Sequence, residues 1–181
     1  GRVDILVNNA FHQGDFSTVV DADLDSWRRT FDVNFYGALN LSRATIPFLK
    51  EQEESHIVII NTVSVLEIQT SFGAYAASKG ALATVTKTMA RELGRDGIRV
   101  NGIHPDYIWG PSVEWYLNHL ADQNGTSFEE EYNKVADENC LGYITPSSEI
   151  AGAVVFLASP LSRCVTGQAL AVDAGRHHGG A

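Results

Sequence analysis

Two cysteines in 181 residues are too few for a disulfide framework, and a chain of this length needs none to bury a core. Cys140 and Cys164 therefore point to a reducing, cytoplasmic setting. Basic residues are scarce as well. Thirteen lysines and arginines stand against 22 aspartates and glutamates, a formal net charge of -9. That balance argues against a nucleic-acid binder, which needs clustered cations, and equally against an anionic membrane surface. No apolar run approaches a membrane span. His12, His56 and His104 have no partners at metal-ligand spacing, so packing or surface roles are expected, and His177-His178 reads as part of a polar tail ending in Gly179-Gly180-Ala181. There is no internal repeat and no low-complexity stretch.

What is present is an ordinary globular composition, 44% hydrophobic and 19% charged. Ile5-Leu6-Val7 is a compact apolar run of the kind found in parallel strands covered on both faces. Residues 21–50 read as a helix, with Asp23 or Asp25 as its cap and Leu24, Trp27, Phe31, Phe35, Ala38 and Leu39 at helical spacing. Pro47 marks a kink or an end. His56 to Asn61 is a second strand, and residues 73–94 form a second long helix. Asp96-Gly97 turns the chain into a third strand, Ile98 to Ile103, which Pro105 is expected to stop. Residues 106–146 are an aromatic excursion of two short helices and loops, residues 148–158 a further helix with a serine at its start, and Ala169 to Val172 a last strand. Such alternation predicts an α/β fold, a parallel sheet with helices on both faces, in one domain.

In sheets of this kind ligands sit beyond the carboxyl ends of the strands. That rule brings together Asn8-Asn9-Ala10, Asn61-Thr62-Val63-Ser64, and Pro105 with its successors. Tyr75 opens the helix after Ser64, and Lys79 lies one turn further on the same face. A tyrosine ordinarily titrates near 10, so acid–base work near neutrality requires a cation beside it. Two hydroxyls compete for the strand end, Ser64 and, as second choice, Thr62.

In this order the stretches Asn8-Asn9-Ala10, Asp32-Val33-Asn34, Asn61 to Ser64, Tyr75-Ala76-Ala77-Ser78-Lys79, Arg99 to Pro105 and Val165 to Gly175 resemble the classical short-chain dehydrogenase/reductase family. The resemblance covers nearly the whole chain. It implies a Rossmann-like doubly wound parallel sheet and the interconversion of a secondary alcohol and a ketone with NAD or NADP. By the same resemblance Asn34, Ser64, Tyr75 and Lys79 are the catalytic residues, and Asn8, Asn9, Ala10, Tyr75, Lys79, Pro105 and Ile108 meet the cofactor. Asn34 carries two readings, a water-held relay to Lys79 or a core amide satisfying backbone groups. The substrate is expected to be a small apolar alcohol or ketone. By the same resemblance the helices over 21–50 and 73–94 form a subunit interface, which implies a homodimer or homotetramer of the intact protein. A lyase or epimerase on this fold, or a catalytically silent binding or assembly fragment, are the rival readings.

Three positions depart from the family pattern. Phe11, Asp106 and Gly110 replace, in turn, a glycine, a glycine and a threonine. No Gly-x-x-x-Gly-x-Gly stretch precedes Asn8. The expectation is therefore a chain lacking the family's first βαβ units, on the order of 80 residues at about 30 or more per unit, and binding cofactor poorly by itself.

Overall fold

The protein is described by a computed structural model over residues 1–177, so His178 and the terminal Gly179-Gly180-Ala181 lie outside the described residues. Its centre is a parallel sheet in the order β1 (Ile5–Asn8), β2 (Ser55–Ile60), β3 (Ile98–Pro105) and β6 (Ala169–Val172). Register places Leu6 beside Ile57 and Ile57 beside Val100, so one face of three strands is aliphatic. Against it pack α2 (Ala38–Leu49) and α3 (Gly73–Leu93), burying Leu49, Leu82, Met89 and Leu93 with Ile57, Ile59 and Val100. The opposite face carries Val58 and Ile103, covered by Ile150 and Leu157 of α6 (Ser147–Leu157). Helices thus lie on both sides, as the alternation required. The expected arrangement is a doubly wound, Rossmann-like sheet, and this is the one found.

Several local expectations are refined. The helix read over 21–50 is α1 (Leu24–Phe31) and α2, joined without a break by a π-helical segment, Asp32–Gly37. Asp23, not Asp25, caps it, accepting from the amides of Asp25 and Ser26. Beside Leu49, the fully buried positions here are Thr30, Asn34 and Ser42, while Leu24 of the expected stripe is exposed, as are Tyr36, Leu41 and Phe48. Small polar residues face the core because α1 and α3 approach closely: a Cβ on Gly73 would stand 3.0 Å from the Trp27 ring. Pro47 falls in the last turn of α2, where it withholds one amide from the helix ladder just before the helix ends.

Pro105 does not stop β3 but ends it, paired with Val172. Neither Ser147 nor Ser148 caps α6, whose N-cap position is Pro146. The excursion holds α4 (Pro111–Asn124) and α5 (Phe128–Asp137), the latter opened by a capping box between Ser127 and Glu130. A separate two-stranded parallel ladder, β4 (Ile108–Trp109) with β5 (Thr145–Pro146), pairs the two ends of this excursion with each other.

Candidate active site

Beyond the carboxyl end of β2 the chain makes a 3-10 turn, Val63–Val65, held by Thr62: its side chain accepts from the amide of Ser64. Asn61, buried at the strand end, donates to the carbonyl of Lys79 at 3.1 Å and so clamps α3 to β2. The first turns of α3 then present Tyr75 and Lys79 to the same edge as Ser64. Here the structure brings together Ser64, Tyr75 and Lys79, three of the four expected catalytic side chains, with Thr62 among them.

Lys79 is 2% exposed, and its ammonium donates to the Ile60 carbonyl at 2.8 Å while lying 6.0 Å from the centre of the Tyr75 ring. Burial brings its pKa down to about 8. Burial likewise raises the Tyr75 phenol above its ordinary value, opposed only by the Thr62 hydroxyl. The expected lowering of Tyr75 by the neighbouring ammonium is therefore not what this geometry gives. Lys79 is turned to a backbone carbonyl, and desolvation dominates both groups. The Tyr75 ring is flanked edge-to-face by Phe72 and Phe11, each 6.5 Å away. Phe11, at the position of the family's glycine, thus stands beside the Tyr75 ring.

Asn34 has no solvent exposure, and its amide is fully used. It accepts from the amide of His12 at 2.6 Å, donates to the carbonyl of His12 at 2.9 Å and donates to the Ser78 hydroxyl at 2.9 Å. Ser78 in turn donates to the Tyr75 carbonyl. These are the bonds the core-amide reading asks for, and none of the three is to Lys79. Ser78 and His12 were missed, although Ser78 lies inside the Tyr-x-x-x-Lys stretch.

The expected cofactor contacts are distributed unevenly. Asn8 points inward, its side-chain amide donating to Ser42 at 3.0 Å, whereas Asn9 and Ala10 are exposed at the strand-end edge. Pro105 is buried and Ile108 half-buried at the end of β3 and in β4. The donor set fits the ribose end of a nicotinamide nucleotide. Lys79 spends one hydrogen bond on the Ile60 carbonyl, and an ammonium carries three donors.

Asp106, at the position of the family's glycine, anchors an ionic knot. The Arg176 guanidinium lies 3.5 Å from Asp106, 3.8 Å from Glu67 and against Glu138, joining the end of β3, the turn after Ser64 and the end of α5. Burial carries the Asp106 carboxyl up to about 6 in spite of Arg176. Farther out, Trp109, Phe128, Tyr132, Tyr143 and Ile144 line a cleft of about 580 Å³. Among the described residues no cluster of three or more potential metal ligands occurs, and no helix is long and apolar enough to cross a membrane.

A family model described as enoyl-(acyl carrier protein) reductase matches residues 1–177. The chain is 34% identical over 178 residues to the short-chain reductase protein NovJ of Streptomyces niveus, covering 97% of this chain and 65% of that one. It is 32% identical over 176 residues to the 3-oxoacyl-[acyl-carrier-protein] reductase FabG of Thermotoga maritima, covering 97% and 66%. Among solved structures, L-sorbose reductase from Gluconobacter frateurii, complexed with NADPH and L-sorbose, superposes with a TM-score of 0.91 at 29% identity, over 97% of this chain and 67% of that one. The ligand-free aldohexose dehydrogenase of Thermoplasma acidophilum gives 0.90 at 29%, over 99% and 70%. The chain spans between 57 and 66% of the length of these and similar curated relatives.

Proposed function

Since this chain belongs to the short-chain dehydrogenase/reductase family, we propose that it carries the proton-transfer half of an oxidoreductase that interconverts a secondary alcohol and a ketone with NAD or NADP. One observation carries the reading: Ser64, Tyr75 and Lys79 converge at the carboxyl end of β2, the serine and lysine buried and the tyrosine half-buried, with the amine brought to about 8. The nicotinamide cofactor, when bound, supplies or accepts the hydride. The residues of this chain do the rest. Tyr75 gives its phenolic proton to the carbonyl oxygen or takes it from the alcohol. Ser64 donates a hydrogen bond to that oxygen and orients it. Lys79, released from the Ile60 carbonyl, holds the ribose hydroxyls and places a positive charge beside the phenol, which favours the phenolate. Asn34 acts at one remove, through Ser78, by fixing the first turn of α3 from which Tyr75 projects.

Asn9, Ala10, Pro105 and Ile108 are the positions from which backbone would meet the cofactor. The inward turn of Asn8 toward Ser42 supports a role for that side chain in seating β1 on α2. The aromatic cleft of Trp109, Phe128, Tyr132 and Tyr143 supports an apolar group on the substrate, remote from its carbonyl, since none of Ser64, Tyr75 or Lys79 lines it. The test is NAD(P)H absorbance followed against a panel of ketones with the whole protein and its Tyr75→Phe variant. Loss of turnover by about 100-fold or more is expected for a general acid. Undiminished turnover by Tyr75→Phe sinks the assignment, and turnover without change in NAD(P)H favours the lyase or epimerase alternative.

A further inference from the structure

The proton-transfer reading leaves Thr62 and His104 without a task, although both are buried at its centre. Thr62 is extended, the last residue before the 3-10 turn that carries Ser64. Its Oγ accepts from the amide of Ser64 at 3.2 Å and donates to the Oγ of Ser64 at 3.2 Å. The same hydroxyl is the one side-chain group whose contact opposes the effect of burial on Tyr75. A threonine has one hydroxyl proton and two lone pairs. With one lone pair taken by the Ser64 amide, the rotor has two settings left, donation to Ser64 or donation to Tyr75.

The backbone of Thr62 is pinned from the far side. The Nδ1 of His104 meets the Thr62 carbonyl at 2.9 Å, and a carbonyl only accepts, so Nδ1 bears the proton. Burial holds the His104 ring neutral, below its ordinary pKa, and His104 itself is fixed by pairing with Ala171 in β3–β6. The carbonyl of Thr62 also accepts from the amide of Val65 at 3.4 Å, so two donors converge on it.

We propose that Thr62 is a positioning residue of the proton-transfer site, its hydroxyl joining Ser64 to Tyr75 and its backbone locked by His104. With Tyr75 protonated, the Thr62 proton is given to Ser64, fixing the serine that meets the substrate oxygen. When Tyr75 has lost its proton to the substrate, the Thr62 hydroxyl rotates and donates to the phenolate. No bond to carbon or oxygen is made or broken in this turn, and no proton leaves the pair. The inference rests on the proposed roles of Ser64 and Tyr75 and adds what sets the charge state between them.

Its test does not depend on turnover. The ionisation of Tyr75 is read as the tyrosinate absorbance of the chain minus that of its Tyr75→Phe variant, across alkaline pH. Thr62→Val, which keeps the shape and loses the hydroxyl, should move the Tyr75 titration to higher pH, and Thr62→Ser should leave it in place. His104→Leu should move it in the same direction, while His104→Asn, whose amide can still donate to the Thr62 carbonyl, should restore it. In the whole protein with NAD(P)H and a ketone, Thr62→Val should lower kcat about two- to tenfold with KM little changed, the weight of one lost hydrogen bond. A Tyr75 titration unmoved in Thr62→Val, or moved as far in Thr62→Ser, overturns the proposal. Should Thr62→Val fail to fold, the His104 pair decides: equal titrations in His104→Leu and His104→Asn overturn it. Undiminished turnover in Tyr75→Phe would instead remove the parent reading and leave the hydroxyl bridge standing as structure.

Discussion

Replacing Asn34 by alanine isolates the architectural work of one side chain. Three hydrogen bonds are lost, two to the backbone of the half-buried His12 and one to the buried Ser78, by a side chain that itself has no solvent exposure. A buried hydrogen bond contributes about 0.5 to 1.5 kcal/mol, and more where the abandoned partner stays buried. Ser78 keeps its bond to the Tyr75 carbonyl, so the abandoned groups are chiefly the amide and carbonyl of His12. The expected cost is about 3 kcal/mol. In a domain of this size that corresponds to a fall in Tm of roughly 6 to 12 °C, readable by urea or thermal unfolding. Asn34→Asp gives the sign. It keeps the acceptor for the His12 amide but sets a second oxygen against the His12 carbonyl and Ser78. Its buried carboxyl should be raised in the native state, so its deficit should shrink as pH falls and the protonated oxygen becomes a donor. A loss below about 1 kcal/mol in Asn34→Ala, or a deficit in Asn34→Asp that grows on acidification, would refute the view that this amide holds the loop of His12 to α3.

Lys79→Met should stabilise the chain at pH 7. The native amine titrates at about 8 against an ordinary 10.5, so below 8 the native state bears the full cost of a buried charge. That cost disappears as pH rises past 10.5. About 3 kcal/mol separates the two limits, less about 1 for the lost bond to Ile60, and a destabilised variant at neutral pH in denaturant melts would contradict it. Asp106→Asn follows the opposite window. A carboxyl carried from 3.8 to about 6 makes native stability climb as pH falls between those values. The variant should gain on the order of 1 to 2 kcal/mol at pH 7 and little at pH 4, and a loss at pH 7 would show that the pairing with Arg176 outweighs burial. Gly175→Ala should cost about 2 kcal/mol or more, because φ is +82° and the new Cβ would stand 2.7 Å from the Cβ of Cys140; an unchanged Tm would mean that the turn relaxes freely.

The sheet was legible because its strands are short apolar runs of fixed order, and order with spacing survives without an alignment. Residues 5–8, 55–60, 98–105 and 169–172 all fall where the runs placed them. The stripe on α1 and α2 is in part on the core: Phe35 and Ala38 pack against it, whereas Leu24 is exposed and the fully buried neighbours Thr30, Asn34 and Ser42 are polar. Where helices cross at close range the contact face needs small side chains, and hydrophobic periodicity does not report those. At the site, Tyr75, Lys79 and Ser64 were visible as a motif after a strand. The tasks of Ser78, His12, Ser42 and His104 were not, because each is defined by a partner between 22 and 44 residues away or by a backbone carbonyl, which no local spacing encodes.

Tyr75 and Lys79 pose the sharper problem. A nearby cation is the usual reason given for an acidic phenol, yet here both groups are driven toward neutrality, the amine downward and the phenol upward. Two neutral groups side by side are what a dry pocket favours when neither faces the other's charge. The ammonium lies against the Ile60 carbonyl, so its field is spent on the backbone of β2. On the proposed reading, a change of partner by Lys79 would bring its charge to bear on the phenolate, and the backbone carbonyl is a partner it can leave for another acceptor. Ribose hydroxyls are such acceptors. On this argument the acid–base strength of Tyr75 is not a fixed property of the Tyr-x-x-x-Lys turn: Lys79 contributes to it only after leaving Ile60, while the Thr62 hydroxyl contributes from the start.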